Sequence, residues 1–197
     1  TPQVSPDRTM IAFACDTMGR SDIFLQSFLP TTGSVGKPRQ VFTAKATAAA
    51  SPVFSPDSRK IAFVCNKDGS PKVYVMDIPP PGASAKDLKP QLISKRCKEN
   101  TAPSWSPDGK KLVYSGKAGG PRQIWLYDFE TKEERQLTDG KGEKENPVFA
   151  ENSTHLLFNS SDGDATNIFL MNINQKKAVK ITNFATTAQF ANWVPLD

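Results

Sequence analysis

Pro103-Ser104-Trp105-Ser106-Pro107-Asp108-Gly109-Lys110-Lys111-Leu112-Val113-Tyr114-Ser115 decides the fold of this chain. A glycine-rich segment through Gly119-Gly120 continues it to Ile124-Trp125-Leu126-Tyr127-Asp128. Short runs of β-branched and aromatic residues, separated by a Ser-Pro-Asp-Gly turn and a loop, predict three successive strands. Proline presets φ, aspartate bonds the backbone beyond it, and glycine accepts positive φ.

The same pattern recurs along the chain. Its opening appears as Pro2-Gln3-Val4-Ser5-Pro6-Asp7, as Pro52-Val53-Phe54-Ser55-Pro56-Asp57, and, weakened, as Pro147-Val148-Phe149-Ala150-Glu151-Asn152. A last echo is Ala191-Asn192-Trp193-Val194-Pro195. The copies at Pro2, Pro52, Pro103, Pro147 and Ala191 start 50, 51, 44 and 44 residues apart. Each is followed by an apolar triplet: Ile11–Phe13, Ile61–Phe63, Leu112–Tyr114 and Leu156–Phe158. A second triplet comes at fixed spacing: Ile23–Leu25, Val73–Val75, Ile124–Leu126 and Ile168–Leu170. A short fourth segment closes each period: Gln40–Thr43, Gln91–Ile93, Gln136–Thr138 and Lys180–Thr182. No 3.6-residue periodicity is sustained. Four strands in a period of 40–50 residues predict an all-β chain, a β-propeller of four-stranded antiparallel blades. The expected repeats span about 2–51, 52–102, 103–146 and 147–190, with a final strand at 191–197, in one propeller over 1–197. The third-to-fourth connections, Gln26–Arg39 and Met76–Pro90, read as long loops. Arg8 and Ser58 replace the turn glycine, which predicts less regular turns there. The aromatic residues Phe13, Phe63, Tyr114 and Phe158 are expected between neighbouring sheets.

Composition excludes several function classes. No apolar run approaches the ~18 residues of a membrane helix, so no direct membrane insertion is expected. No segment of signal-peptide type opens the chain, which reads as a mature product or an excised fragment. The net charge of +5 comes from dispersed basic residues, without an aromatic-basic recognition motif, so no nucleic-acid partner is expected. Three cysteines without a C-x-x-C indicate neither a zinc site nor a disulfide framework. Cys15 and Cys65 hold equivalent positions and read as small apolar residues at strand ends. The single histidine, His155, heads a strand with no nucleophile motif nearby. Glu133-Glu134 and Glu143/Glu145 read as solvated turns rather than an acid/base pair. Ser161-Asp162-Gly163-Asp164 reads as a hairpin turn, not a calcium loop. No catalytic residue, metal or cofactor is expected. The connections from the fourth strand of one repeat to the first of the next, including Thr43–Ser51, Ser94–Ala102 and Asp139–Asn146, are polar and variable. Propellers build binding surfaces from such loops.

The pattern P-x-W-S-P-D-G-x-x-[ILV]-x-[FY], then [IV]-[YFW]-[LV] and L-T, resembles the PD-type repeat of the TolB-like propeller family over essentially the whole chain. Family members carry a small α/β domain before a six-bladed propeller, which implies that this chain is the C-terminal part of such a ring. The resemblance implies a non-catalytic, periplasmic, protein-binding role in the Tol-Pal envelope system. The implied partners are the peptidoglycan-associated lipoprotein (Pal) and other Tol proteins, with self-association if the fragment is open. The family's contact positions lie just before the repeat proline. Here they match Ala48, Ser51, Glu99, Asn100, Thr101, Ala102, Glu145 and Asn146. Ala48 and Ala102 depart from the His or Glu often found there. The second implication of the repeat is a gating propeller of a prolyl-oligopeptidase-like serine peptidase. That assignment requires a hydrolase domain with a G-x-S-x-G turn, which this sequence lacks.

Overall fold

A computed structural model describes residues 2–17, 19–43, 48–85 and 88–193. The described residues form sixteen strands in four four-stranded antiparallel sheets, each in simple up-and-down order. The first sheet is β1 (Gln3–Val4), β2 (Met10–Thr17), β3 (Arg20–Leu29) and β4 (Gly33–Phe42). The second is β5 (Ala49–Phe54), β6 (Lys60–Cys65), β7 (Lys72–Asp77) and β8 (Gln91–Leu92). The third is β9 (Glu99–Trp105), β10 (Lys111–Lys117), β11 (Gln123–Asp128) and β12 (Glu134–Gln136). The fourth is β13 (Lys144–Phe149), β14 (His155–Asp162), β15 (Ala165–Asn172) and β16 (Ala178–Lys180).

The triplets pair in one register throughout. Phe13 faces Phe24, Phe63 faces Tyr74, Tyr114 faces Trp125 and Phe158 faces Phe169. Three of these pairs stack at ring-centroid distances of 5.9, 6.0 and 5.8 Å. Such cross-strand pairs are the unit of sheet stabilisation.

The chain divides into two compact units, Thr1–Ile93 and Ser94–Asp197, each holding two sheets. In the first, Ala12, Ile23 and Leu25 of one sheet pack on Phe54, Ile61, Phe63, Tyr74 and Met76 of the other. In the second, Val113, Ile124 and Leu126 pack on Phe149, Leu156, Phe158 and Met171. Phe63, Tyr114 and Phe158 are fully buried, as expected. Phe13 is half-buried, because the first sheet packs within its unit through its other face.

The Ser-Pro-Asp turn is more regular than the sequence suggests. Arg8, Ser58, Gly109 and Ser153 all have positive φ, of 58°, 57°, 70° and 55°. The amide of each donates to the carbonyl of Ser5, Ser55, Ser106 or Ala150. In three copies the serine hydroxyl donates to the aspartate carboxylate, at 2.6, 2.6 and 2.5 Å for Asp7, Asp57 and Asp108. The serine bond holds Asp7 and Asp57 below the usual carboxylate range. At Asp108 burial acts upward, but the Ser106 hydroxyl and Lys110 amide outweigh it, and its pKa is also lowered.

The non-glycine residues at this position have a second use. The Ser58 hydroxyl accepts the Asp7 amide of the preceding sheet at 3.1 Å. The Ser153 hydroxyl accepts the Asp108 amide in the same way at 3.1 Å. A left-handed serine costs about 1 kcal/mol, and an intersheet hydrogen bond returns a similar amount.

Three expectations are corrected. Gln26–Arg39 is not a loop: β3 and β4 extend into a long hairpin turning at Pro30–Thr32. Bulges between Ile23 and Phe24 and between Leu25 and Ser27 absorb the register, and the buried Gln26 amide donates to the carbonyls of Ser27 and Val35 at 2.7 and 2.9 Å. The fourth segments also begin upstream of their apolar residues, at Glu134 and Ala178 in the third and fourth sheets. The expected final strand falls largely on residues 194–197, outside the described residues; Ala191–Trp193 is not a strand.

Candidate protein-docking face

The residues immediately before Pro52, Pro103 and Pro147 are strand residues, not loop residues. Strands β5, β9 and β13 begin at Ala49, Glu99 and Lys144, ahead of Pro52, Pro103 and Pro147. Each contains a bulge, between Ala50 and Val53, Thr101 and Ser104, and Glu145 and Val148. At each bulge the residue before the proline is left-handed: Ser51 at φ 52°, Ala102 at 51° and Asn146 at 52°. Phe190, before Ala191, has φ 59°. Proline disfavours the right-handed helical region for its predecessor, and a bulge needs one residue out of register. A sequence pattern of polar and small residues hides this strand, because β propensity is low there and packing decides.

Side chains hold the bulges in place. The Asn146 amide donates to the Ser115 hydroxyl at 3.1 Å, and the Phe190 amide to Asn159 Oδ1 at 3.3 Å. Ala48 is exposed; its amide donates to Asn66 Oδ1 at 2.7 Å, and it bridges Ser21 in parallel.

The eight predicted residues divide between the two units. Ala48 and Ser51 belong to the first. The other six lie in the second, where β13 packs beside β9. Arg122 ties two of them together: its Nη2 is 3.1 Å from Glu99 and its Nε 3.3 Å from Glu145. Its own amide donates to Glu143 at 2.6 Å. Thr101, Ala102, Glu145 and Asn146 are partly exposed, whereas Asn100 is fully buried. Sequence reasoning missed Arg122. It follows the β10–β11 loop, and in an antiparallel sheet that loop emerges at the same end as the connection into the first strand. Strand order alone could therefore have found it.

Glu134 also departs from the solvated turn expected of it. It is buried, and it accepts the Tyr114 hydroxyl at 2.5 Å and the Lys95 and Arg96 amides at 3.0 and 3.1 Å. Burial, then this carboxylate, push the Tyr114 phenol far above its usual value. The second sheet uses a different acid for the same purpose, Tyr74 donating to Asp68. His155 heads β14, its Nδ1 2.9 Å from Nδ2 of Asn152 in the preceding turn. Ser161–Asp164 sits in a two-residue hairpin between β14 and β15, with Gly163 at φ 63°. Cys15, Cys65 and Cys97 form no disulfide. Among the described residues no cluster of acidic, histidine and cysteine side chains is arranged for a metal ion, and no helix is long and apolar enough to cross a membrane.

Repeated four-stranded sheets with an aligned hairpin register, each entered through a bulged strand, define a segment of a β-propeller that presents a polar face. The chain belongs to the TolB β-propeller domain family, whose model matches residues 85–197. It is 57% identical over 145 residues to a protein TolB homolog of Protochlamydia amoebophila, covering 74% of this chain and 31% of that protein. It is 34% identical over 192 residues to a protein TolB homolog of Chlamydia pneumoniae, covering 98% of this chain and 43% of that protein. Over 82 residues it is 34% identical to a Tol-Pal system protein TolB of Francisella tularensis subsp. mediasiatica, covering 41% of this chain and 19% of that protein. The chain thus spans less than half the length of these relatives. Its fold matches the crystal structure of TolB from Acinetobacter baumannii, with a TM-score of 0.71 at 22% identity over 92% of this chain and 43% of that one. It also matches a puromycin-hydrolyzing peptidase of Mycobacterium tuberculosis, with a TM-score of 0.70 at 14% identity over 92% of this chain and 28% of that one. At these identities the structural matches speak for the fold alone.

Proposed function

We propose that this chain is part of a single, non-catalytic, periplasmic propeller that docks a lipoprotein partner of the Tol-Pal type through the bulged ends of β9 and β13. The observation that carries this is the Arg122 cluster. It holds Glu99 and Glu145 beside the left-handed bulges at Ala102 and Asn146, giving a charged and shape-specific face. Pre-organised side chains bind with less ordering cost than mobile ones. The sequence relatives named for the Tol-Pal system favour this partner over the peptidase assignment, for which only fold-level likeness speaks. In the longer protein, further sheets cover the exposed Val179, Ile181, Phe184 and Phe190, which are 53–74% exposed here. The 197-residue chain alone self-associates through such apolar surface.

The test is titration of the full-length protein with purified peptidoglycan-associated lipoprotein of the same organism. Arg122→Ala and Glu145→Ala each weaken binding at least tenfold, while Glu130→Ala, an exposed residue at the opposite end of the third sheet, leaves it unchanged. Absence of binding by the wild-type protein, or equal binding by all three variants, overturns the proposal.

A further inference from the structure

The long β3–β4 hairpin borders an open groove of about 510 Å³. Met10, Leu29 and Val35 line it from the first sheet, and Ile78, Pro79 and Pro80 from the segment after β7. Met10 and Ile78 also pack against the core that these two sheets share, so the groove continues the gap between them outward. The hairpin outruns the second sheet, whose β8 is two residues long, and Leu29 and Val35 stay 50% and 48% exposed. Sheets added at either end of the series do not cover this groove, because both of its walls are already in place. One cation stands in this apolar setting. Arg39 lies opposite Leu25 of the shared core, on the face turned to the groove. Its Nη1 donates to the Pro80 carbonyl at 3.3 Å and links the two walls. Its other donors have no protein partner, and among the described residues no carboxylate lies within 4 Å of it. Arg39 is partly exposed, so those donors remain open to solvent. Desolvation without a counter-charge pushes its guanidinium pKa down. A guanidinium in this state is complemented by a carboxylate, which accepts two parallel bonds.

We propose that this groove docks an acidic-aliphatic segment of a partner polypeptide, with a carboxylate on Arg39 and an aliphatic side chain between Leu29, Val35 and Ile78. The volume lies within the ~300–1,000 Å³ of ligand clefts. A peptide is favoured over a fatty acyl chain because the groove is open to solvent and its wall is broken by Thr9 and Ser27. The exposed Ser27 hydroxyl has no protein partner, which suits a peptide backbone and interrupts an acyl path. The inference is independent of the Arg122 face: the groove belongs wholly to Thr1–Ile93 and the Arg122 cluster to Ser94–Asp197.

The test uses full-length protein with 13C-methyl leucine and valine, titrated with acetyl-Leu-Glu-Leu-amide, with acetyl-Leu-Gln-Leu-amide and, separately, with octanoate. Leu29→Met and Val35→Met assign the two groove resonances. The glutamate peptide shifts both saturably, with a dissociation constant on the order of millimolar, as expected of so short a ligand. The glutamine peptide binds at least fivefold more weakly, and Arg39→Gln abolishes that difference. Should Arg39→Gln perturb folding, seen as movement of the Leu25 resonance before any ligand is added, added salt replaces it: salt weakens the glutamate peptide and leaves the glutamine peptide unchanged. Unchanged groove resonances, a linear drift, or equal affinity for the two peptides overturns the proposal. So does tighter saturation by octanoate, which marks an acyl site. Movement of the same resonances on concentrating the protein alone marks a second copy as the occupant and also overturns it.

Discussion

Truncating Glu134 to alanine removes the acceptor of three donors at once. The Tyr114 hydroxyl, fully buried, loses a charge-assisted bond and is left without a partner. Such a bond contributes about 1.5–3 kcal/mol, and the orphaned hydroxyl sets the upper part of that range. The Lys95 and Arg96 amides also lose their acceptor, but both residues are exposed and water replaces it at small cost. Relief of the buried carboxylate's own desolvation offsets part of the loss. The net expectation is about 2–3 kcal/mol of destabilisation. With a urea m-value of about 2 kcal/mol/M, the unfolding midpoint falls by about 1–1.5 M. Glu134→Gln keeps an acceptor for Tyr114 and costs about 1 kcal/mol. Tyr114→Phe removes one donor and leaves two amides on the carboxylate, also about 1 kcal/mol. Equilibrium urea unfolding of the three variants measures the order. A Glu134→Ala protein within about 0.5 kcal/mol of wild type, or a Tyr114→Phe protein less stable than it, refutes the claim that this carboxylate ties the 95–96 segment to the third sheet.

Other predictions follow from the turns and bulges. Ser58→Gly relieves a left-handed serine and loses the bond to Asp7, so its stability stays within about 0.5 kcal/mol of wild type, whereas Ser58→Ala keeps the strain, loses the bond and costs about 1 kcal/mol by thermal unfolding. Ala102→Gly relieves φ 51° and stabilises by up to about 1 kcal/mol, less the greater entropy of glycine in the unfolded chain. Asp57 has a folded pKa below its unfolded value of 3.8, so the unfolded state binds more protons between the two. Its contribution is present above pH 3.8 and is lost as pH falls through the folded pKa; Asp57→Asn therefore flattens the fall in melting temperature below pH 3.8. By light scattering, the isolated 197-residue chain self-associates and the full-length protein is monomeric.

Residues with a periodic signal were legible in the sequence. The aligned triplets predicted the second and third strands of every sheet, and even the Phe63–Tyr74 and Phe158–Phe169 pairs follow from their spacing. The first strands were half visible. Val53-Phe54 and Val148-Phe149 carry β propensity, but Ala49-Ala50 and Lys144-Glu145 do not, and the bulge between them breaks the alternation. Long-range partners left no local trace. Nothing near Glu134 announces that its carboxylate is buried against Tyr114, twenty residues away. Arg122 looks like a loop cation until strand order places it between Glu99 and Glu145. The candidate positions came from the family resemblance, whereas Arg122 follows only once the strand order of the sheet is used.

Ser58 and Ser153 bear on how such repeats evolve. In each, the hydroxyl answers an amide of the preceding sheet, at Asp7 and at Asp108. Gly109, at the same turn position, has no hydroxyl to give. The departure from the glycine consensus is therefore information about a neighbour rather than drift within one module. A copy transplanted elsewhere in the series takes its turn along but meets the wrong partner. Once duplicated modules have acquired such reciprocal marks, they cease to be interchangeable parts, and their order along the chain becomes part of the fold.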